Sequence, residues 1–183
     1  MLPRSEVVLR GRRGLDEGAG AIEWSVHLPT PYISRRWPQL LPGWQTPIGS
    51  VLLLLQRAPL PLIAPSQRVE ASKTQLRDRA LSLGCRTAAM LRQQGYQAAI
   101  FDPKTGIPLA QESGIPLDDV AVVQALLGYR VVRGGGCGCI FHPSWGAAVY
   151  PTTLLCTATP SQVGAHLKEL DFFDDFGGLP WCP

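Results

Sequence analysis

Between positions 134 and 139 the chain reads Gly-Gly-Gly-Cys-Gly-Cys, and Ile140, Phe141, His142, Pro143, Ser144, Trp145 and Gly146 follow at once. A thiol at Cys137 or Cys139 stands on a backbone almost stripped of side chains, so a large flat ligand can approach the sulfur without striking neighbouring Cβ atoms. Thiolate is the nucleophilic and metal-ligating form of cysteine, and cationic neighbours favour it. Arg130 and Arg133, just upstream, are the candidate thiol-activating groups. Thiolate is also a soft ligand suited to soft or borderline metal centres. The plainest alternative is a flexible hairpin whose cysteines are incidental.

Other chemistries fit the motif less well. A phosphate-binding P-loop needs Lys-Ser or Lys-Thr after its last glycine, and a dinucleotide fingerprint needs a strand before it and a helix after it; neither is present. Cys137 and Cys139 could begin a zinc site with His142, Cys156 or Cys182, but structural zinc favours two-residue gaps in pairs. His142 between Phe141 and Pro143 reads as a loop or core histidine with satisfied hydrogen bonds, and Trp145 as a packing residue before a glycine turn. Five cysteines without framework spacing, in a chain of 183 residues, fit reduced thiols better than disulfide staples. Cys85 falls in a helical pattern and Cys156 in a strand pattern, where each reads as a small buried hydrophobe, while Cys182 sits beside the C-terminus.

The elements that must position the motif follow from periodicity. With 45% hydrophobic residues, 17 prolines and 19 glycines, the composition is that of one globular domain with long ordered loops. Residues 1–20 read as a loose arm, 21–170 as the domain and 171–183 as a tail. Ile22 to Leu28 is a strand candidate, prolines 29, 31 and 38 force an irregular ordered loop with room for a short helix, and Ser50 to Gln56, apolar on both faces, is a central strand. A long helix runs from about Val69 to Gln94, with Leu76, Ala80, Leu83, Thr87 and Leu91 on one stripe and Gly95 as its left-handed stop. A strand from Tyr96 to Phe101 ends in the turn Asp102-Pro103-Lys104-Thr105-Gly106. Asp118 caps a short helix that Gly128 closes, Ala147 to Ala158 reads as one or two strands interrupted at Pro151, and Thr159-Pro160 opens a last helix to about Leu170. This irregular alternation predicts a two- or three-layer α+β domain rather than a doubly wound sheet.

Net charge and hydropathy narrow the partners. A formal charge of +3, with arginines scattered, does not indicate nucleic-acid binding. The longest apolar run, Val51 to Leu55, gives way to Gln56-Arg57, too early to span a bilayer. A cytoplasmic location is expected, and Arg4, Arg10, Arg12 and Arg13 leave a mitochondrial presequence open.

From Glu23 to Leu170 the chain resembles the methylmalonic aciduria and homocystinuria type D (CblD) family of cobalamin-trafficking proteins. The resemblance is carried in order by Glu23 to Trp44, the Val51 to Gln56 strand, Met90-Leu91-Arg92-Gln93-Gln94-Gly95-Tyr96, Phe101-Asp102-Pro103-Lys104-Thr105-Gly106, Leu127-Gly128-Tyr129, Gly136-Cys137, His142, Trp145-Gly146 and Thr157-Ala158-Thr159-Pro160. It implies an α+β, modified flavin-nitroreductase-like sheet with packed helices, no flavin site of its own and no catalytic activity. It implies a trafficking adaptor that holds cob(II)alamin through a cysteine thiolate together with a type C (CblC-like) processing protein, and passes it toward methionine synthase or methylmalonyl-CoA mutase. The family's glycine-cysteine pair falls on Gly136-Cys137, which makes Cys137 the cobalt ligand and Cys139 its runner-up, with Gly135, Gly136, Gly138, His142 and Trp145 near the cobalamin. The family commonly has adjacent cysteines where this chain has Cys137-Gly138-Cys139, and the family's long N-terminal extension has no counterpart here. Ile140 stands where the Asp of an Asp-x-His-x-x-Gly corrinoid motif would precede His142, which disfavours histidine ligation.

Two other classes compete with this expectation. One is a corrinoid- or flavin-dependent reductase of the same broad fold, for which only Cys182-Pro183 hints at an iron–sulfur run. The other is a thiol-redox or zinc module built on Cys137 and Cys139.

Overall fold

The structure is a computed structural model that describes residues 7–13, 20–110, 112, 114–134 and 137–169. The expected tail, 171–183, lies outside the described residues. So do Gly135 and Gly136 of the glycine motif and Cys182.

Eleven elements are described, in the order β1 (Val7–Arg13), β2 (Ile22–His27), α1 (Pro31–Leu40), β3 (Ser50–Arg57), α2 (Gln67–Gln93), β4 (Ala98–Ile100), α3 (Asp119–Leu127), β5 (Arg130–Gly134), β6 (Cys137–Phe141), β7 (Val149–Cys156) and α4 (Pro160–Glu169). Five strands form one antiparallel sheet in the order β1-β2-β3-β7-β4, and β5 and β6 form a separate antiparallel hairpin. The class is α+β.

Strand β3 shows why the sheet is sandwiched. Its residues are buried on both faces: Val51, Leu53 and Leu55 join a core with Ile33 and Leu40 of α1, Val122 and Leu126 of α3 and Ile140 of the hairpin. Leu52 and Leu54 join a second core with Leu83 and Leu91 of α2 and Val163 and Leu167 of α4. The period-2 alternation of a strand sends successive leucines to opposite layers, so a continuous apolar run suits a strand covered on both sides. Hairpin and sheet are thus held apart in sequence but share one core.

Local chemistry sets the helix ends. Ser66 Oγ accepts from the Val69 amide at 3.2 Å at the start of α2, and Gly95, with φ of 87°, takes the left-handed position after it. Asp118 Oδ1 accepts from the amides of Val120 and Ala121 at 2.9 and 3.1 Å, and Gly128 closes α3 with φ of 68°.

Two expectations need correction, and a third is made specific. Residues 7–13 are not a loose arm but the edge strand β1, paired with β2. Only tertiary cover makes this strand: Leu9 packs where Gly164 of α4 leaves no room for a side chain, and Gly11 lets the backbone lie over the indole of Trp24. The short helix for which the proline-rich loop after Leu28 left room is the ten-residue α1: Thr30 caps it, Pro31 occupies its first position and Pro38 is tolerated inside it. Strand β7 runs unbroken through Pro151, which pairs with Leu55.

Candidate functional site

The hairpin places the cysteine motif on the flank of the sheet. Its register pairs Arg130 with Phe141, Val132 with Cys139, Arg133 with Gly138 and Gly134 with Cys137, so Cys137 is the first paired residue after positions 135–136. Ile140 is buried in the core below, and Gly138 lies against α3: a Cβ there would come within 3.1 Å of Val120 Cγ1. At Gly138, therefore, the missing side chain lets the strand sit on α3.

Cys139 is a free, half-buried thiol whose S–H donates to the Leu62 carbonyl at 3.4 Å. Such sulfur hydrogen bonds are weak, so releasing the thiol toward a stronger partner costs little. Cys156 differs: it is buried, accepts from the Ala158 amide at 3.2 Å, and burial pushes its thiol up to about 11. It is the small buried hydrophobe expected at that position. Cys85 is disulfide-bonded, which corrects the expectation of a reduced thiol there.

The two arginines upstream are engaged by other groups. Arg130 stacks over the Phe141 ring, 4.6 Å from its centroid, and Arg133 reaches Asp118 Oδ2 at 3.9 Å in an exposed pair. His142 is wholly committed to structure. Its Nδ1 accepts from the amides of Ser144 and Trp145, both at 3.1 Å, which leaves the proton on Nε2 to be donated to Glu23 Oε2 at 3.0 Å. Its ring stacks on Trp145 with centroids 4.1 Å apart, and Tyr129 meets it edge-on. Burial holds the imidazole below its usual range, with Glu23 opposing that shift in part. With both nitrogens occupied, His142 has no lone pair for a metal, and among the described residues no cluster of three His, Cys, Asp or Glu is placed to hold one.

Beside the hairpin opens a cavity of about 550 Å³, walled by the first half of α2, the 102–106 turn, the start of α3, β6 and the first half of β7. Cys139 and Gly138 lie on its wall, and Ile63, 52% exposed, stands at its margin. The turn is fixed by a bidentate pair: Arg77 Nε and Nη2 donate to Asp102 Oδ1 and Oδ2, both at 2.7 Å, while the Lys104 amide and the Thr105 hydroxyl add bonds at 2.9 and 3.2 Å. Hydrogen bonding to Arg77, then to the turn, holds the Asp102 carboxyl below the usual carboxylate range.

Asp119, next to the capping Asp118, is buried at the cavity wall, and burial pushes its carboxyl up to about 7. Thr153 lies close enough to oppose that shift, yet Asp119 Oδ1 and Thr153 Oγ1 are both shielded from solvent without a hydrogen bond of normal geometry. Burial also raises Tyr150, and the nearby Asp119 adds to the rise. Sequence reading missed Asp119, Tyr150, Arg77 and Glu23. Only the doubled acid at 118–119, one residue capping and the other turned inward by helical geometry, offered a signal.

No helix among the described residues is long and apolar enough to cross a membrane. A scan against protein-family models gives no match to this chain, and a search of curated proteins gives none either.

Proposed function

We propose that this protein is a non-catalytic cobalamin-handling adaptor of the CblD kind, on a modified nitroreductase-like fold, that holds cob(II)alamin through a hairpin thiolate while a CblC-like processing protein bears the rest of the cofactor. Methionine synthase or methylmalonyl-CoA mutase would be the downstream receivers. The reading rests on the resemblance of the chain from Glu23 to Leu170. The observation that carries it structurally is the register Gly134 to Cys137, which sets one cysteine at the very end of a two-stranded hairpin.

A corrin is broad and planar, so its axial ligand must stand at a projecting edge. Cys137 adjoins the connection between the strands, whereas Cys139 is recessed on a cavity wall beside Leu62. That difference supports Cys137 as the ligand and Cys139 as the runner-up. Exposed apolar side chains at Val132, which pairs with Cys139, and at Ile63 offer contact for an apolar ring or a partner's surface.

The test is to mix the protein with a type C partner and cob(II)alamin and record the absorption and paramagnetic spectra. Cys137→Ser should abolish the change produced by the wild-type chain, and Cys139→Ser should leave it. A spectrum indifferent to both substitutions would end the thiolate reading, and stoichiometric zinc after anaerobic purification would favour the Cys-x-Cys zinc module.

A further inference from the structure

Three cations line the cavity beside the hairpin: Lys73 and Arg77, four positions apart and so on one face of α2, and Lys104 on the 102–106 turn that Arg77 grips. Their counterions decide what the space accepts. Lys73 meets Glu70 at 2.9 Å, Arg77 meets Asp102 at 2.7 Å, and Asp118, also on the wall, meets Arg133 at 3.9 Å. Asp119 is shielded from solvent against Thr153, and burial keeps its carboxyl protonated up to about 7. Lys104 is left over: it is exposed and, among the described residues, has no ion-pair partner. In mildly acidic solution the wall therefore carries a single surplus positive charge.

Arg77 adds directed donors to that charge. Its Nε and Nη2 are spent on Asp102, which is buried and not itself on the wall, and this fork fixes the guanidinium plane. The Nη1 N–H groups remain for a further acceptor, and the side chain is 31% exposed at the cavity. A guanidinium already held in place loses little freedom when it donates once more. Away from these groups the wall is apolar, with Leu62, Ile63, Leu117 and Val149.

We infer that this cavity binds a small organic monoanion, a carboxylate on an apolar body, with the carboxylate held between Lys104 and the Nη1 edge of Arg77. A neutral head gains only neutral hydrogen bonds there, and a cation meets a surplus of its own sign. A dianion exceeds the surplus and has to draw Lys73 away from Glu70. The volume, about 550 Å³, falls in the range of ordinary small-molecule sites. The site uses neither cobalt nor a thiolate, so its failure and the failure of the adaptor reading are separate results.

Benzoate is the probe, titrated at pH 6 and low ionic strength into the full chain under two-dimensional NMR. Benzamide and benzylamine serve as the neutral and cationic isosteres, and isophthalate as the dianion. Saturable shifts centred on the amides of residues 104–106 and of Val149 are expected for benzoate. Benzamide should bind about five- to tenfold more weakly, because hydrogen bonds to a charged acceptor are roughly twice as strong as neutral ones. Benzylamine should give no saturable shifts there, and isophthalate should bind no tighter than benzoate. The turn uses only the backbone amide of Lys104, so substitution of its side chain spares the fold. Lys104→Gln should weaken benzoate about three- to fivefold, as expected for an exposed charge, and Lys104→Arg should retain it. Arg35→Gln, which removes the same charge from α1 away from this wall, should leave benzoate binding unchanged. The inference is overturned by the absence of saturable benzoate shifts, by benzamide, benzylamine or isophthalate binding more tightly than benzoate, or by equal affinities in Lys104→Gln and Arg35→Gln.

Discussion

His142, just after β6, and Glu23 on β2 lie 119 positions apart and share a hydrogen bond of 3.0 Å. Glu23 also reaches Arg12 of β1 at 3.4 Å, and the Arg12 guanidinium sits over the Trp145 ring, 5.3 Å from its centroid. The bond ties the end of the cysteine hairpin to the edge of the main sheet through a chain of polar contacts.

Removing the imidazole should therefore loosen more than one contact. His142→Ala leaves Glu23 and two backbone amides without their partner and opens space beside Trp145. We expect a loss of about 2–4 kcal/mol in urea unfolding. Glu23→Gln, which keeps an acceptor for Nε2–H, should cost about 1 kcal/mol. Equal midpoints for His142→Ala and the wild type would show that the network contributes nothing.

Two buried groups give opposite pH dependences. Burial first, and Arg10 second, depress His27 to about 4, so the unfolded chain takes up a proton near 6.5 that the native state refuses. Its contribution to stability is lost as pH falls from about 6.5 toward 4. Asp119 is raised from 3.8 to about 7, so the native state keeps a proton the unfolded chain releases. That contribution is complete below about 4 and is lost as pH rises through 7. Between 4 and 6.5 the two effects offset each other. Asp119→Asn should unmask a stability that climbs with pH across this window, and at pH 8 it should gain on the wild type by on the order of a few kcal/mol. Parallel pH profiles for the two proteins, from urea melts at pH 4.5, 6.5 and 8, would refute the assignment.

The Arg77–Asp102 pair should behave as a unit. Asp102 is buried and Arg77 partly exposed, so Arg77→Met leaves a buried carboxylate with only the turn's donors, and Asp102→Ala removes the turn's organising acceptor. Each single change is expected to cost on the order of 2 kcal/mol, and the double change less than their sum, with a coupling of about 1–3 kcal/mol. Because Asp102 is held low, this stability is fully present above the unfolded carboxylate range and is lost as pH falls through the folded value. A strictly additive double variant would show that the pair is not coupled.

Gly84 tests the packing of α2 on β4. A Cβ at this position would collide with the Ile100 side chain, which is fully buried. Alanine favours helices over glycine by ~1 kcal/mol, yet Gly84→Ala should destabilise by about 1–3 kcal/mol because overpacking outweighs propensity. Adding Ile100→Val should recover part of the loss. A Gly84→Ala variant more stable than the wild type would contradict the tight approach.

The sequence by itself determined the elements whose signals are local. Ser50 to Gln56 announced a doubly buried strand, the apolar stripe through Leu76 and Leu91 announced α2, and Gly95, Asp118, Gly128 and Thr159-Pro160 marked helix ends, because caps and left-handed stops depend on the few residues around them. It also singled out the cysteine-glycine stretch as the place for chemistry. Only the tertiary structure decided that Val7 to Arg13 is a strand, since its support comes from β2 and from α4, more than 150 positions away at Gly164. It alone turned Asp119 inward beside Tyr150, closed His142 between Glu23 and Trp145, and seated Gly138 on Val120. Burial and hydrogen-bond partnership are properties of the packed whole, and no window of neighbouring residues contains them.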